Sequence, residues 1–313
     1  MRAVWLTKFG GPEVLVARET PEPEAGPGQV LVDVAFANIT FVETQFRSGK
    51  PGPFKGEPPL IPGNGVGGVV AAVGEGVDPG LVGRRVVTGT GGSGGYAERV
   101  AVDAAGLFEV PEGLALDTAV AVLADGRTAT WLFDGLGVKE GERVLVEAAA
   151  GGVGSLLVQI AKNAGAVVVA AVGGERKAGV ARELGADVVV DYRRPGWADE
   201  AGDVDVVFDG VGGEIGRAAF GTLRPGGRMV SYGLASGEWA GISEERAAER
   251  GVELVQPAAT PELMRQATER VLADAAGGRV RPLVGQRFPL ERAADAHAAI
   301  ESRATVGKTL LEV

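Results

Sequence analysis

Apolar and polar positions follow two different rhythms along this chain. From Met1 to about Gly113 the apolar residues come in short alternating runs, Ala3–Leu6, Val14–Arg18, Gln29–Ala37, Gly68–Val73, Arg85–Thr88 and Ala97–Val102, broken by Gly and Pro. That spacing predicts a compact β-rich barrel or sandwich with one short helix around Thr40–Arg47. From about Leu116 a helix-like stretch runs to Leu136, and longer apolar runs then alternate with helical patterns. Strands are predicted at Val144–Glu147, Ala166–Ala171, Val188–Asp191, Val204–Phe208, Gly227–Tyr232 and Val252–Leu254, with helices near Val153–Ala164, Arg176–Leu184, Gly213–Leu223 and Ser243–Arg250. Six strands joined by helices predict an α/β fold with a doubly wound parallel six-stranded (Rossmann) sheet. After a helix at Pro261–Ala275, the segments Val280–Phe288, Leu290–Glu301 and Thr309–Val313 are too few for a core of their own. They are expected to complete the first domain, giving a β-rich catalytic domain of residues 1–115 and 281–313 and a dinucleotide-binding domain of residues 116–280.

The organising stretch runs from Arg143 to Val172. An apolar run meets the turn Gly151-Gly152-Val153-Gly154, and a helix and a second apolar run follow. A glycine turn between strand and helix aims backbone N–H groups at the helix N-terminus, where the peptide dipoles favour negative charge, and a pyrophosphate is the expected occupant. Against the dinucleotide fingerprint G-x-G-x-x-G, the stretch from Ala149 to Gly154 has alanine in place of the first glycine.

Composition narrows the chemistry. The net charge of −10 would repel a phosphate backbone, so nucleic acid is not an expected partner. With no cysteine there is no disulfide, thiolate nucleophile or Cys-based metal site. The N-terminal stretch alternates like a strand and lacks a signal-peptide core, and the longest uncharged run, Pro58 to Gly74, is rich in Pro and Gly. A cytoplasmic protein with no membrane span is expected.

The end of the second strand of the nucleotide sheet bears on the cofactor. An acid there suits the ribose 2′-hydroxyl of NAD, whereas NADP needs cations for its 2′-phosphate. Here the strand runs into Val172-Gly173-Gly174 and then Glu175-Arg176-Lys177. Glu175 could turn to the ribose, but two cations follow it, and NADPH is the expected cofactor.

At this point the chain resembles a known family, the zinc-free quinone oxidoreductases (zeta-crystallin-like) of the medium-chain dehydrogenase/reductase superfamily. The resemblance rests on the opening MRAVWLTKFGGPEVL, Gly95-Tyr96-Ala97-Glu98, Gly126-Arg127-Thr128-Ala129, the central AAAGGVG, Phe208 to Gly213, Ser231-Tyr232-Gly233 and Glu301 to Thr305. It implies a GroES-like catalytic domain beside the Rossmann domain. It further implies that Gly151, Gly152 and Val153 hold the pyrophosphate and that Gly173, Lys177 and Tyr192 hold the 2′-phosphate side. Thr128, Tyr232 and Gly233 would lie along the nicotinamide half, with Arg303 returning to the phosphate region. A homodimer that continues the nucleotide sheet past Val252–Leu254 is the family expectation.

The departures from the family pattern concern chemistry. Where zinc-dependent relatives place Cys and then His-Glu, this chain has Thr40 and then Gly63-Asn64-Gly65. The single histidine, His297, is expected to be a packing or surface residue, and no metal site is expected. The family's Asn-x-x-Asp-x-Tyr appears here as Thr40 to Gln45, which leaves the proton donor open. Thr40, Tyr96 and Thr128 are the catalytic candidates, with Arg47 a further one if it points inward. The expected reaction is hydride transfer from NADPH to a quinone or other conjugated carbonyl, without metal, in a cleft between the domains. The alternatives are an enone or enoyl-thioester double-bond reductase and a non-catalytic NADPH-binding sensor or interaction protein.

Overall fold

Alternation in the first third of the chain becomes antiparallel pairing. In the computed structural model, which describes all residues from Met1 to Val313, β1 (Arg2–Leu6) pairs with β2 (Leu15–Glu19). The long β3 (Gln29–Ile39) buries Val30, Val32 and Val34 on one face, leads into helix α1 (Phe41–Arg47) and pairs with β4 (Gly65–Val73). β5 (Arg85–Gly89) joins β4, β6 (Arg99–Asp103) joins β3, and the three-residue β7 (Leu107–Glu109) joins β5. Helix α2 (Leu116–Leu123) lies on β4, where the absence of a side chain at Gly67 leaves room for Val120 and Leu116.

The apolar runs that follow form one parallel sheet with helices between its strands. Helix α3 (Asp125–Leu136) leads to β8 (Arg143–Glu147), α4 (Gly152–Asn163), β9 (Val167–Val172) and α5 (Glu175–Glu183). Then come β10 (Val188–Asp191), α6 (Trp197–Ala201), β11 (Val204–Asp209), α7 (Gly213–Gly221) and β12 (Leu223–Ser231). Helix α8 (Glu244–Glu249), the short β13 (Glu253–Leu254) and α9 (Pro261–Ala276) complete the run. The strand order is β10-β9-β8-β11-β12-β13, so the chain winds outward in both directions from the β8/β11 boundary. Val144–Val146, Val168–Val172 and Val206–Phe208 are buried, as the unbroken apolar runs require for strands covered on both faces. In open sheets of this kind ligands bind beyond the carboxyl ends of the strands at such a switch point.

The chain then returns: β14 (Val284–Pro289), α10 (Ala293–Glu301) and β15 (Lys308–Glu312) follow, and β15 pairs antiparallel with β3. Two units result, one of Met1–Asp125, Val271–Gly278 and Pro282–Val313, the other of Gly126–Arg270 and Arg279–Arg281. The helix-like stretch from Leu116 to Leu136 is two helices separated at Ala124, and α2 belongs to the first unit. No helix is long and apolar enough to cross a membrane.

Candidate active site

The second unit carries the nucleotide features. β8 ends at Glu147, and Ala148 takes a left-handed conformation (φ 47°), uncommon for a residue with a side chain. Gly151 N–H closes the turn onto Ala148 O at 2.7 Å, and Ser155 N–H already donates to Gly151 O at 2.9 Å. The amides of Gly152 and Val153 therefore lie at the open end of α4, ahead of the helical ladder. A Cβ on Gly154 would strike the Ala148 carbonyl, so only glycine lets helix and turn approach this closely. A Cβ on Gly151, in contrast, would meet nothing nearer than Ala148 O at 3.1 Å.

Charge marks the same end. Nine of the ten α-helices place an Asp or Glu in their first turn, and α4 alone has none. In an acidic chain that leaves one helix dipole unneutralised at its positive end, where an anion is stabilised. The residues present thus fit a pyrophosphate.

At the next strand end, Gly173 and Gly174 (φ 100°) lead into α5. A Cβ on Gly173 would come within 3.1 Å of Tyr192 Oη, and one on Gly174 within 2.7 Å of Arg193 Cζ. Tyr192 and Arg193, just past β10, therefore lie across the glycine pair. Arg193 also pairs with Asp191 at 2.9 Å. Glu175 is held by Arg182 at 2.8 Å, rather than standing alone at the turn. Arg193 was not among the sequence candidates; its position in the run Asp191-Tyr192-Arg193-Arg194 was the available signal. Lys177 is half-buried in the first turns of α5.

The loops after β11 and β12 meet closely. A Cβ on Gly210 would lie 2.6 Å from Tyr232 Oη, and one on Gly233 would lie 2.5 Å from Gly210 O. Tyr232 N–H donates to Asp209 O at 2.9 Å. Tyr232 and Gly233 thus form one surface with the Gly210–Gly213 loop, while Thr128 is half-buried on α3.

The first unit gathers Thr40 and Tyr96 around Glu43. Both the N–H and Oγ1 of Thr40 donate to Glu43 Oε2, at 2.6 and 2.9 Å, capping α1. Glu43 is fully buried, and burial holds its pKa above the usual carboxyl range against the opposing bonds from Thr40 and the charge of Lys308. Tyr96 Oη lies 2.9 Å from His297 Nε2 and also faces Glu43; burial and the neighbouring carboxyl push the phenol well above its ordinary value. His297 is a buried, hydrogen-bonded residue, its pKa lowered to about 3 by burial and by Arg47. Arg47 does point inward, but its guanidinium is taken up by Gly10 O and Glu301. As placed, Tyr96 and Arg47 are committed to the core, and Thr40 to a helix cap. Arg303, in the same unit, has φ 60° and stacks over the Phe41 ring at 5.3 Å.

Comparison with known proteins agrees with this geometry. Residues 26–112 match the alcohol dehydrogenase GroES-like domain family, and residues 184–311 match a family described as zinc-binding dehydrogenase. Together with the parallel sheet they define a medium-chain dehydrogenase/reductase with an oxidoreductase activity and a nicotinamide cofactor. The chain is 33% identical over 326 residues to a 2-haloacrylate reductase of a Burkholderia species, covering 99% of this chain and 98% of that one. It is 33% identical over 323 residues to a quinone oxidoreductase of Pseudomonas aeruginosa, covering 99% of each. The structure of Escherichia coli quinone oxidoreductase complexed with NADPH superposes with a TM-score of 0.90 at 31% identity, covering 100% of both chains. The chain belongs to the zinc-free quinone oxidoreductase family of that superfamily. Although one matching family is described as zinc-binding, no group of three His, Cys, Asp or Glu side chains here could hold a metal ion, so the donors do not fit catalytic zinc.

Proposed function

We propose that the chain transfers a hydride from NADPH to a quinone or another conjugated carbonyl, without metal. The observation that carries this reading is the acid-free N-terminus of α4 behind the Gly151–Gly154 turn, with two arginine- and lysine-bearing segments at the neighbouring strand end. Gly151, Gly152 and Val153 would hold the pyrophosphate through their amides. Gly173, Lys177, Tyr192 and Arg193 would hold the 2′-phosphate side, and Tyr232, Gly233 and Thr128 the nicotinamide half. When bound, the cofactor supplies the hydride. The chain's part is to bind and orient, to exclude water and to place a donor near the acceptor oxygen, onto which conjugation spreads the developing charge. Thr128, half-buried on α3 in the unit that carries the glycine turns, is the first candidate for that donor.

The likeness to a 2-haloacrylate reductase favours a second reading, in which the acceptor is an activated carbon–carbon double bond. Purified protein mixed with NADPH and panels of quinones, enones and 2-haloacrylates separates the two by which panel is reduced. NADPH binding with no oxidation in any panel would instead identify a sensor or interaction protein. Thr128→Ala should lower turnover on the preferred acceptor, and unchanged turnover would remove Thr128 from the site. A homodimer through the β13 edge of the sheet is part of the proposal, and sedimentation as a monomer at micromolar concentration would contradict it.

A further inference from the structure

Two carboxyl groups stand side by side beneath the β8 and β11 strand ends. Glu147 and Asp209 are both 0% exposed and follow residues that are direct partners in the parallel pair, Val146 and Phe208. One backbone amide, Val211 N–H, serves both: it lies 3.0 Å from Glu147 Oε2 and 3.1 Å from Asp209 Oδ1. Gly212 N–H donates to Asp209 Oδ1 at 2.7 Å, and Ser231 Oγ donates to Asp209 Oδ2 at 2.7 Å. The neighbouring elements present Ala171 from β9, Ser231 from β12 and Gly216 from α7, where a Cβ would lie 2.9 Å from Asp209 Oδ2. The only charges in this set are the two carboxyls themselves.

Two adjacent carboxylates shut off from bulk solvent, with no cationic side chain packed on them, do not both ionise at neutral pH. Asp209 accepts from three donors and Glu147 shares one of them, so the donors favour negative charge on the Asp209 side of the pair. We propose that Glu147 carries the proton and shares it with Asp209, and that this single proton fastens the Gly210–Gly212 loop onto the end of β8. Burial and Asp209 push the Glu147 pKa well above the usual carboxyl range, consistent with that assignment. The loop is the one on which Tyr232 and Gly233 rest without room for a Cβ. Glu147 is thus a positioning residue for the nicotinamide half, a consequence that rests on the function proposed above. When the proton is lost to water at alkaline pH, two like charges face each other and the loop is released.

The test uses the full chain without cofactor. Hydrogen-exchange protection of the Val211 and Gly212 amides is measured from about pH 6 to about pH 10, normalised to intrinsic rates, in wild type and in Glu147→Gln, a neutral side chain that can still donate to Asp209. Wild-type protection should fall by about tenfold or more as pH rises, while Glu147→Gln should keep it throughout. Protonated-carboxyl infrared absorption should be weaker in the variant by the Glu147 band, the buried Glu43 being common to both proteins. NADPH affinity should follow the same pH profile in wild type and lose it in Glu147→Gln. Protection that stays flat in wild type, or the same step in both proteins, would overturn the proposal. If Glu147→Gln does not fold, Asp209→Asn takes its place: with the like charge gone, burial alone holds the Glu147 proton and the step should shrink and move to lower pH; an unchanged step would overturn the proposal. Failure of NADPH to bind at any pH would count against the proposed function, while the exchange and infrared readouts would still decide the state of the pair.

Discussion

His297 offers a direct measurement of how burial governs charge in the first unit. The chain has one histidine, so its ring gives a single set of resonances. In the folded protein its pKa is lowered from 6.5 to about 3, by burial first and by Arg47 second. The folded value lies below the unfolded one, so the unfolded chain binds more protons between the two, and stability is lost as pH falls through that window. Within the window each step of one in pH changes the folding free energy by about 1.4 kcal/mol, so going from neutral pH to about pH 4.5 should cost wild type about 2.5 kcal/mol through this one group. His297→Gln keeps a polar partner for Tyr96 Oη, which lies 2.9 Å from the ring nitrogen, and removes the titration. Hydrogen exchange of the β3 amides in rising urea, at both pH values and in both proteins, isolates the first unit. The wild type should lose about 2.5 kcal/mol more than the variant, with every other titrating group common to both. A ring that titrates near its ordinary value, or equal losses in the two proteins, would refute the reasoning.

Three further outcomes are expected. Arg193→Ser should weaken NADPH binding by about tenfold or more and NADH binding much less, as a fluorescence titration would show; equal losses for both would mean that Arg193 only packs the Gly174 turn. Gly154→Ala should cost about 1–3 kcal/mol in the second unit, because its Cβ meets the Ala148 carbonyl rather than a movable side chain, and NADPH titration of the folded fraction should show lost affinity. Lys308 Nζ lies 3.0 Å from Asp125 Oδ2 with both side chains largely buried, so Lys308→Met leaves an unpaired buried carboxylate and should lower stability by about 3–5 kcal/mol. Adding Asp125→Leu should recover part of that loss in thermal melts.

The sheet was legible because strands covered on both faces need unbroken apolar runs, and runs such as Val144–Glu147 and Val204–Phe208 stand out between helical patterns. Helix α6 was not legible: its five residues fill less than two turns, and it is set off by glycines at 196 and 202 that adopt positive φ. The boundary between α2 and α3 at Ala124 was hidden because alanine is a helix former and marks no end. At the site, local motifs located the glycine turns but not what crosses them. Arg193 reaches Gly174 from the carboxyl end of the neighbouring strand, Glu147 meets Asp209 from 62 residues away, and His297 meets Tyr96 across 201 residues. Such pairings depend on strand order, and no local periodicity carries it.

The same pairings set opposite pH responses in the two units. In the second unit the raised pKa of Glu147 contributes stability that is present below the unfolded carboxyl value and is lost as pH rises. That unit has no histidine to oppose this slope, since the only one lies in the first unit. In the first unit the raised Glu43 and the lowered His297 face the same phenol and act in opposite directions, so their slopes offset each other between the carboxyl and imidazole ranges. Below that range the histidine is the one of this pair that still titrates, the lowered Glu98 and Asp117 add to its slope, and the balance fails. By the three buried groups, acid should loosen the first unit before the second, and rising pH short of the Tyr96 phenol's range the second before the first. Peptide-resolved hydrogen exchange across the pH range reads both orders in one experiment, and a common order at both extremes would show that these three buried groups do not control the pH response.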